Sequence, residues 1–231
     1  MTRIDIPHVS RIEGHASITI DLDESGKVAD TPFLVTQVRG FEKFVEGRPY
    51  YEMPAITARI CGICPVSHLL ASSKACDEIM AVRVPPTARK LRELLHMAQI
   101  VQSHALSFFH LSAPDLLLGM DYDPGLRNVA GLLAKHPAVV QDGVRLRKFG
   151  QQVIERLGRE RVHPSWTVPG GVNAELDPRA RERTLEEWPE ALAILQRTLE
   201  LWKETIDSFP EEIATFSNFP TMYCGTVAPD G

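Results

Sequence analysis

The hydrophobic period of this chain changes at Gly40, and that change limits the fold classes open to it. Before Gly40, Ala16-Ser17-Ile18-Thr19-Ile20-Asp21-Leu22-Asp23 alternates apolar and polar residues, the period of a half-buried strand. Glu24-Ser25-Gly26-Lys27 carries turn chemistry, and residues 28–38 read as a second strand interrupted at Pro32. An antiparallel hairpin follows. After Gly40, Phe41, Phe44 and Val45 suggest a short helix ending near Gly47, and residues 50–59 read as another. Residues 64–82 read as a long helix, closed by the break Val84-Pro85-Pro86-Thr87, with Thr87 as the next N-cap. Residues 88–111 are the strongest helical segment, with Leu91, Leu95, Ala98, Ala105 and Phe109 at helical spacing.

Beyond this, residues 114–124 read as irregular, 127–133 as helical and 137–157 as a long amphipathic helix. Residues 162–176 form a loop by composition. Residues 178–209 hold one or two helices with a break at Trp188-Pro189, and 216–231 are irregular. The expected fold is α+β: a β-rich N-terminal element over residues 1–47, then a mainly α-helical bundle over 48–231, both parts of one structural unit. With 44% hydrophobic and 24% charged residues among 231, the chain can bury a substantial core.

Bulk properties also exclude function classes. The net charge of −5 gives no support for nucleic-acid binding, and the basic clusters Arg145-Leu146-Arg147-Lys148 and Arg179-Ala180-Arg181-Glu182-Arg183 read as solvated helix faces. No apolar run approaches a membrane span. Met1-Thr2-Arg3-Ile4-Asp5 lacks the apolar core of a signal peptide, and four cysteines at these spacings form no disulfide framework. A reducing, cytoplasmic compartment is expected.

The chemistry concentrates in Arg59-Ile60-Cys61-Gly62-Ile63-Cys64-Pro65-Val66-Ser67-His68, which places two thiols and an imidazole within eight residues. Residues three and four apart meet on one helical face. Pro65 suits the first helical position, where its missing N–H costs nothing. Gly62 to Cys64 therefore reads as a tight turn, with Cys64 at a helix N-terminus whose partial positive charge favours a thiolate. His68, one turn in, can donate to a sulfur or complete a metal site. A lone CxxC is half of a metal site, a redox pair or chance. No second pair completes a four-cysteine zinc site, and a thioredoxin-like site lacks its strand. Cys76 and Cys224 are isolated and read as small buried hydrophobes. Without further context Glu13 is a surface residue before a strand, and Glu42 a helix-start residue stabilised by the dipole. His15, His96, His104, His110 and His136 carry no assigned chemistry.

Three segments line up in order: Arg11-Ile12-Glu13-Gly14-His15, Arg39-Gly40-Phe41-Glu42, and the stretch from Arg59 to His68. Further segments are Gln102-Ser103-His104, Gly119-Met120-Asp121, Arg127-Asn128-Val129, Arg147-Lys148-Phe149-Gly150-Gln151 and Val168-Pro169-Gly170-Gly171-Val172-Asn173. Together they resemble the N-terminal half of the large, catalytic subunit of nickel–iron hydrogenases, most closely the cytoplasmic, bidirectional NAD-linked branch. The resemblance implies a Ni-Fe centre bridged by thiolates, with cyanide and carbon monoxide on iron. It implies Cys61 as a terminal nickel ligand, Cys64 as the nickel–iron bridge and His68 beside the bridging sulfur. It further implies Glu13 as the proton carrier and Glu42 as a carboxylate holding magnesium. The implied reaction is reversible conversion of H2 to two protons and two electrons. Those electrons would leave through the clusters of an iron–sulfur small subunit toward flavin/NAD diaphorase subunits holding FMN and NAD. The loop of His163-Pro164 and Pro169-Gly170-Gly171 would face the small subunit.

This sequence departs from the family pattern in lacking a second cysteine pair near its C-terminus, so it supplies two thiolates where the family uses four. The expectation is that it is the N-terminal portion of a longer protein. Two alternatives bind partner subunits without hydrogen chemistry: a complex-I-like scaffold, against which retention of both Cys61 and Cys64 argues, and a metal-free truncated subunit, which the missing second pair leaves open.

Overall fold

The computed structural model describes residues 2–37 and 39–216, together with Asn218, Pro220 and Met222. The expectation for 216–231, and Cys224 with it, falls almost wholly outside these residues. The architecture is α+β, as the change of period at Gly40 requires: antiparallel strands first, then a helical bundle.

β2 (Ala16–Leu22) is the centre of the sheet. β1 (Thr2–Ile6) lies antiparallel along one edge, with Ile4 opposite Ile20 and Ile6 opposite Ile18. Nothing in the sequence pattern announces this strand, because all five residues are exposed and only two isoleucines mark its period. The other edge is shared by β3 (Val28–Asp30) and β4 (Phe33–Val35). The expected single strand is divided because Pro32 has no N–H for the ladder; its carbonyl still accepts from Thr19 N–H at 3.1 Å.

After the short helix α1 (Phe41–Phe44) and α2 (Met53–Thr57), the bundle is built on α3 (Pro65–Ile79), α4 (Pro86–Leu106) and α7 (Pro137–Gly158), the last preceded by the short α6 (Val129–Lys135). Val66, Leu69, Leu95, Ala98, Val153, Ile154 and Trp166 form its main core. Each large apolar side chain among them contributes roughly 1.5–3 kcal/mol of burial. A second cluster of Ala105, Phe109, Leu146, Ala191 and Ile194 brings in α8 (Pro178–Ile206).

Four local expectations are corrected. Pro85, not Thr87, is the N-cap of α4, and Pro86 takes the first helical position that its fixed φ suits. The segment expected to end that helix at 111 is a π-helical turn, Ser107–Ser112, followed by α5 (Ala113–Leu118) inside the stretch expected to be irregular. α8 runs unbroken through Pro189. That proline is exposed, as is Leu185, whose carbonyl loses its helical donor, and packing of Ala191 and Ile194 outweighs the lost bond. Within the expected loop of 162–176, β5 (Thr167–Val168) and β6 (Gly171–Val172) form a small hairpin.

A buried ion pair ties this hairpin to two helices. Asp77 of α3 and Arg92 of α4 are each 8% exposed and meet at 2.6 Å. Arg92 also donates to the carbonyls of Val168 (2.7 Å) and Gly171 (2.9 Å), while Asp77 accepts from Gly170 N–H at 2.6 Å. Ser73 and Thr167 hydroxyls add a bond of 3.1 Å. Both charged groups that leave water here find partners, the condition for burying such a pair.

α4 and α7 approach closely where α7 carries Gly150. A Cβ there would lie 2.8 Å from the Ala98 carbonyl oxygen and 2.9 Å from Gln102 N, both backbone atoms. Alanine would gain about 0.5–1 kcal/mol in helix propensity, but forcing the helices apart costs about 1–3 kcal/mol. Gly150→Ala is therefore expected to lower stability, seen as a reduced midpoint in thermal or urea unfolding; an unchanged or raised midpoint would show that the helices can separate freely.

Candidate metal centre

The cysteine turn is assembled from its neighbours. A 3₁₀ turn, Ala58–Ile60, delivers Cys61 in extended conformation, φ −139° and ψ 137°. Cys64 is the N-cap of α3 and Pro65 its first residue, as the spacing predicts. Between them the chain curls around one sulfur: Cys61 Sγ accepts from the N–H groups of Ile63 (3.4 Å) and Cys64 (3.2 Å). The ligand atoms of Cys61, Cys64 and His68 all lie within 4.8 Å of one another, and among the described residues this is the only group of three or more potential metal ligands. Cys61 is buried, and Cys64 and His68 are half-buried. Two soft thiols, one imidazole and backbone donors already aimed at sulfur suit a soft transition metal.

Glu13 reaches this cluster from 48 positions earlier in the sequence. The Cys61 thiol donates to Glu13 Oε1 at 3.1 Å. The segment before β2 is locked by Arg11, which holds both oxygens of Asp115 on α5 at 2.7 Å and donates to the Leu111 carbonyl at 2.9 Å. Arg127 binds the same carboxylate at 3.1 Å. A bidentate guanidinium–carboxylate pair fixes direction as well as distance, and it offsets the cost of Arg11 at φ 56°. Gly14, at φ 90°, passes so close to Gln37 that a Cβ would sit 2.8 Å from its amide oxygen. Glu13 itself is exposed rather than buried, so its carboxyl faces a thiol on one side and solvent on the other.

The thiolate expected at the N-terminus of α3 is not favoured in the metal-free turn. Burial, then the neighbouring Cys61 sulfur and the Glu13 carboxylate, push the Cys64 thiol up to about 12. Desolvation and like charge here outweigh the helix dipole, an effect of typically under 1 kcal/mol. Glu42 is an exposed residue in the first turn of α1 and joins no group of three His, Cys, Asp or Glu ligands among the described residues. Cys76 is buried, and its thiol donates to the Tyr50 carbonyl at 3.2 Å, as its reading as a packed hydrophobe allows. His163 bonds through Nδ1 to the Ala58 carbonyl at 2.8 Å, which ties the 162–176 segment to the turn preceding Cys61.

Sequence reasoning gave no role to two residues that touch the turn, although Gln102 opens one of the segments that carry the resemblance. Gln99 and Gln102 of α4 both donate to the Ile63 carbonyl, at 3.0 and 2.6 Å. Polar residues three apart on the same buried face as Leu95 and Ala98 were the available signal.

Comparison with known proteins places this geometry. Residues 39–122 match the family model described as nickel-dependent hydrogenase, and residues 3–38 match one described as HoxL-like. A vhu-type F420-non-reducing hydrogenase subunit of Methanocaldococcus jannaschii is 43% identical, over 98% of this chain and 54% of its own length. The NAD-reducing hydrogenase HoxS subunit beta of Cupriavidus necator is 39% identical, over 99% of this chain and 49% of its own. Among solved structures, an NAD+-reducing NiFe hydrogenase in the H2-reduced state superposes with a TM-score of 0.86 at 43% identity, covering 94% of this chain and 48% of that one. The reduced Ni-Fe-Se hydrogenase of D. vulgaris Hildenborough gives 0.70 at 29% identity, covering 82% and 41%. The chain thus spans about half the length of the curated relatives it matches.

Because metal displaces the thiol proton, the raised Cys64 value has a definite sign. In the metal-free chain at pH 8, alkylation of Cys64 by iodoacetamide should run roughly tenfold to a hundredfold slower than that of a thiol at the ordinary value of 9.0, because the smaller thiolate fraction outweighs the greater nucleophilicity of a more basic thiolate. Apparent affinity for a divalent metal should rise about tenfold per pH unit through the neutral range from this proton alone. Mass-spectrometric mapping of the alkylated sites checks the first statement; rapid modification of Cys64 would refute it.

Proposed function

The chain belongs to the nickel-dependent hydrogenase large-subunit family, and from that premise we propose that it is part of a catalytic subunit that converts H2 reversibly to two protons and two electrons. One observation carries the reading: the ligand atoms of Cys61, Cys64 and His68 converge within 4.8 Å, with a carboxylate 3.1 Å from one of the sulfurs. Cys61 and Cys64 would supply two of the thiolates that hold a nickel–iron centre. His68, whose ring nitrogen lies within 4.8 Å of the Cys64 sulfur, would donate to that sulfur and temper its basicity. A nickel–iron centre held by these residues would supply the redox chemistry of H2.

Glu13 does the proton work. Its carboxylate takes a proton from the Cys61 sulfur across the 3.1 Å contact and, being exposed on its other side, passes it outward. Arg11 and Asp115 keep it in reach. The electrons leave through an iron–sulfur small subunit, and in the complex proposed here they reach NAD through flavin-bearing diaphorase subunits in the cytoplasm. A second reading differs only in the final acceptor, since an F420-non-reducing hydrogenase subunit is 43% identical and an NAD-reducing one 39%. Assay of the purified complex for H2-dependent NAD reduction separates the two. No helix among the described residues is long and apolar enough to cross a membrane.

Glutamine keeps the shape of glutamate but carries no exchangeable acid proton. In the complete enzyme, Glu13→Gln is expected to leave nickel and iron content intact and lower H2 oxidation and hydrogen–deuterium exchange by about two orders of magnitude or more, the scale of a lost acid–base group. Wild-type rates in that variant would mean that the proton leaves by another route.

A further inference from the structure

One peptide group in the cysteine turn is held at both ends. Its carbonyl, on Ile63, accepts from Gln102 Nε2 at 2.6 Å and Gln99 Nε2 at 3.0 Å. Its N–H, on Cys64, donates to Cys61 Sγ at 3.2 Å. The two glutamines are 3% and 2% exposed and lie three apart on α4, so both amides leave the same helical face. Gln99 makes this contact at a cost to itself, because its own Oε1 is buried without a partner. The base of Gln102 is clamped as well: Gly150 of α7 leaves room for a backbone approach that any Cβ would close to 2.8 Å from Gln102 Cβ.

These bonds run in series. Donors on a carbonyl polarise the peptide and strengthen the donation of its N–H. Donation to a metal-bound sulfur draws electron density from it, one of the means by which a protein sets the potential of a metal site. We infer that Gln99 and Gln102 are positioning residues for the metal-holding cysteine pair, orienting and polarising the Ile63–Cys64 peptide so that its N–H is delivered to Cys61 Sγ. This rests on the proposed role of Cys61 as a metal ligand. A neutral amide is what the position demands. A carboxylate would set an acceptor against the Ile63 carbonyl, and an apolar side chain would leave that carbonyl buried and short of a donor.

The test uses the complete subunit within its complex, carrying Gln102→Met, Gln102→Glu or Gln99→Met. Two readouts are taken: amide hydrogen exchange of the segment containing Cys64 in the metal-free protein, and the reduction midpoint of nickel in the loaded one. In Gln102→Met, exchange at the Cys64 amide should quicken about fivefold to tenfold, the equivalent of one lost neutral hydrogen bond. Exchange in the distal turns of α7 should not change, and nickel should become harder to reduce because the sulfur is more electron-rich. Gln102→Glu should move both readouts further in the same direction. Gln99→Met, which also removes the orphaned Oε1, gives the smaller effect and serves if either Gln102 variant fails to fold. Unchanged Cys64 exchange together with an unchanged nickel midpoint in the folded variants would overturn the inference. If the wild-type complex binds no nickel, the metal reading fails instead, and the exchange measurement alone decides whether the glutamines hold the peptide.

Discussion

The buried pairing of Asp77 with Arg92 is the constraint on which the rest of this structure depends. It joins α3 to α4 and both to the small hairpin through a shared set of charged and backbone hydrogen bonds. Removing one partner of such a pair typically costs about 3–5 kcal/mol, because the other charge is stranded away from water. Its consequence for chemistry is register. α3 begins at the cysteine turn and carries His68, and α4 carries the glutamines that reach that turn. A slide of either helix along the other would break the ion pair before it displaced the site.

The centre is held from three directions by elements far apart in sequence. The bundle supplies the turn and the amide donors above it. The segment before β2 supplies Glu13, locked by Arg11 onto Asp115 just after the π-helical turn. That turn offers the Leu111 carbonyl to Arg11, so the irregularity of the long helix is matched by a specific contact. Close packing of α7 at Gly150 fixes the backbone from which Gln102 projects. The same geometry accounts for the raised Cys64 thiol, since burial, the Cys61 sulfur and the Glu13 carboxylate all disfavour its thiolate.

Much of this was legible in the residues. Helical spacing marked α7 to within a residue, and Pro65 after Cys64 marked the start of α3, because local preferences and burial there agree. The clustering of Cys61, Cys64 and His68 followed from three- and four-residue spacing. Where local preference and packing conflict, the sequence misled. Pro189 reads as a break, but its exposed side and the packing of α8 tolerate it. Thr87 reads as a cap, but Pro86 takes the helix start. β1 carries too few apolar residues to announce itself and exists because β2 offers it an edge.

By itself, the sequence determined the change from strand to helix at Gly40, the cysteine turn and the family to which the chain belongs. Those depend on contacts within a few residues, or on ordered motifs that survive in the linear order. Only the tertiary structure decided that Glu13 lies on Cys61, that Arg11 is held by Asp115, and that two glutamines share the Ile63 carbonyl. Those pairs stand between 36 and 104 positions apart. No local period records which distant side chain will arrive, because that is settled by the packing of whole helices against one another.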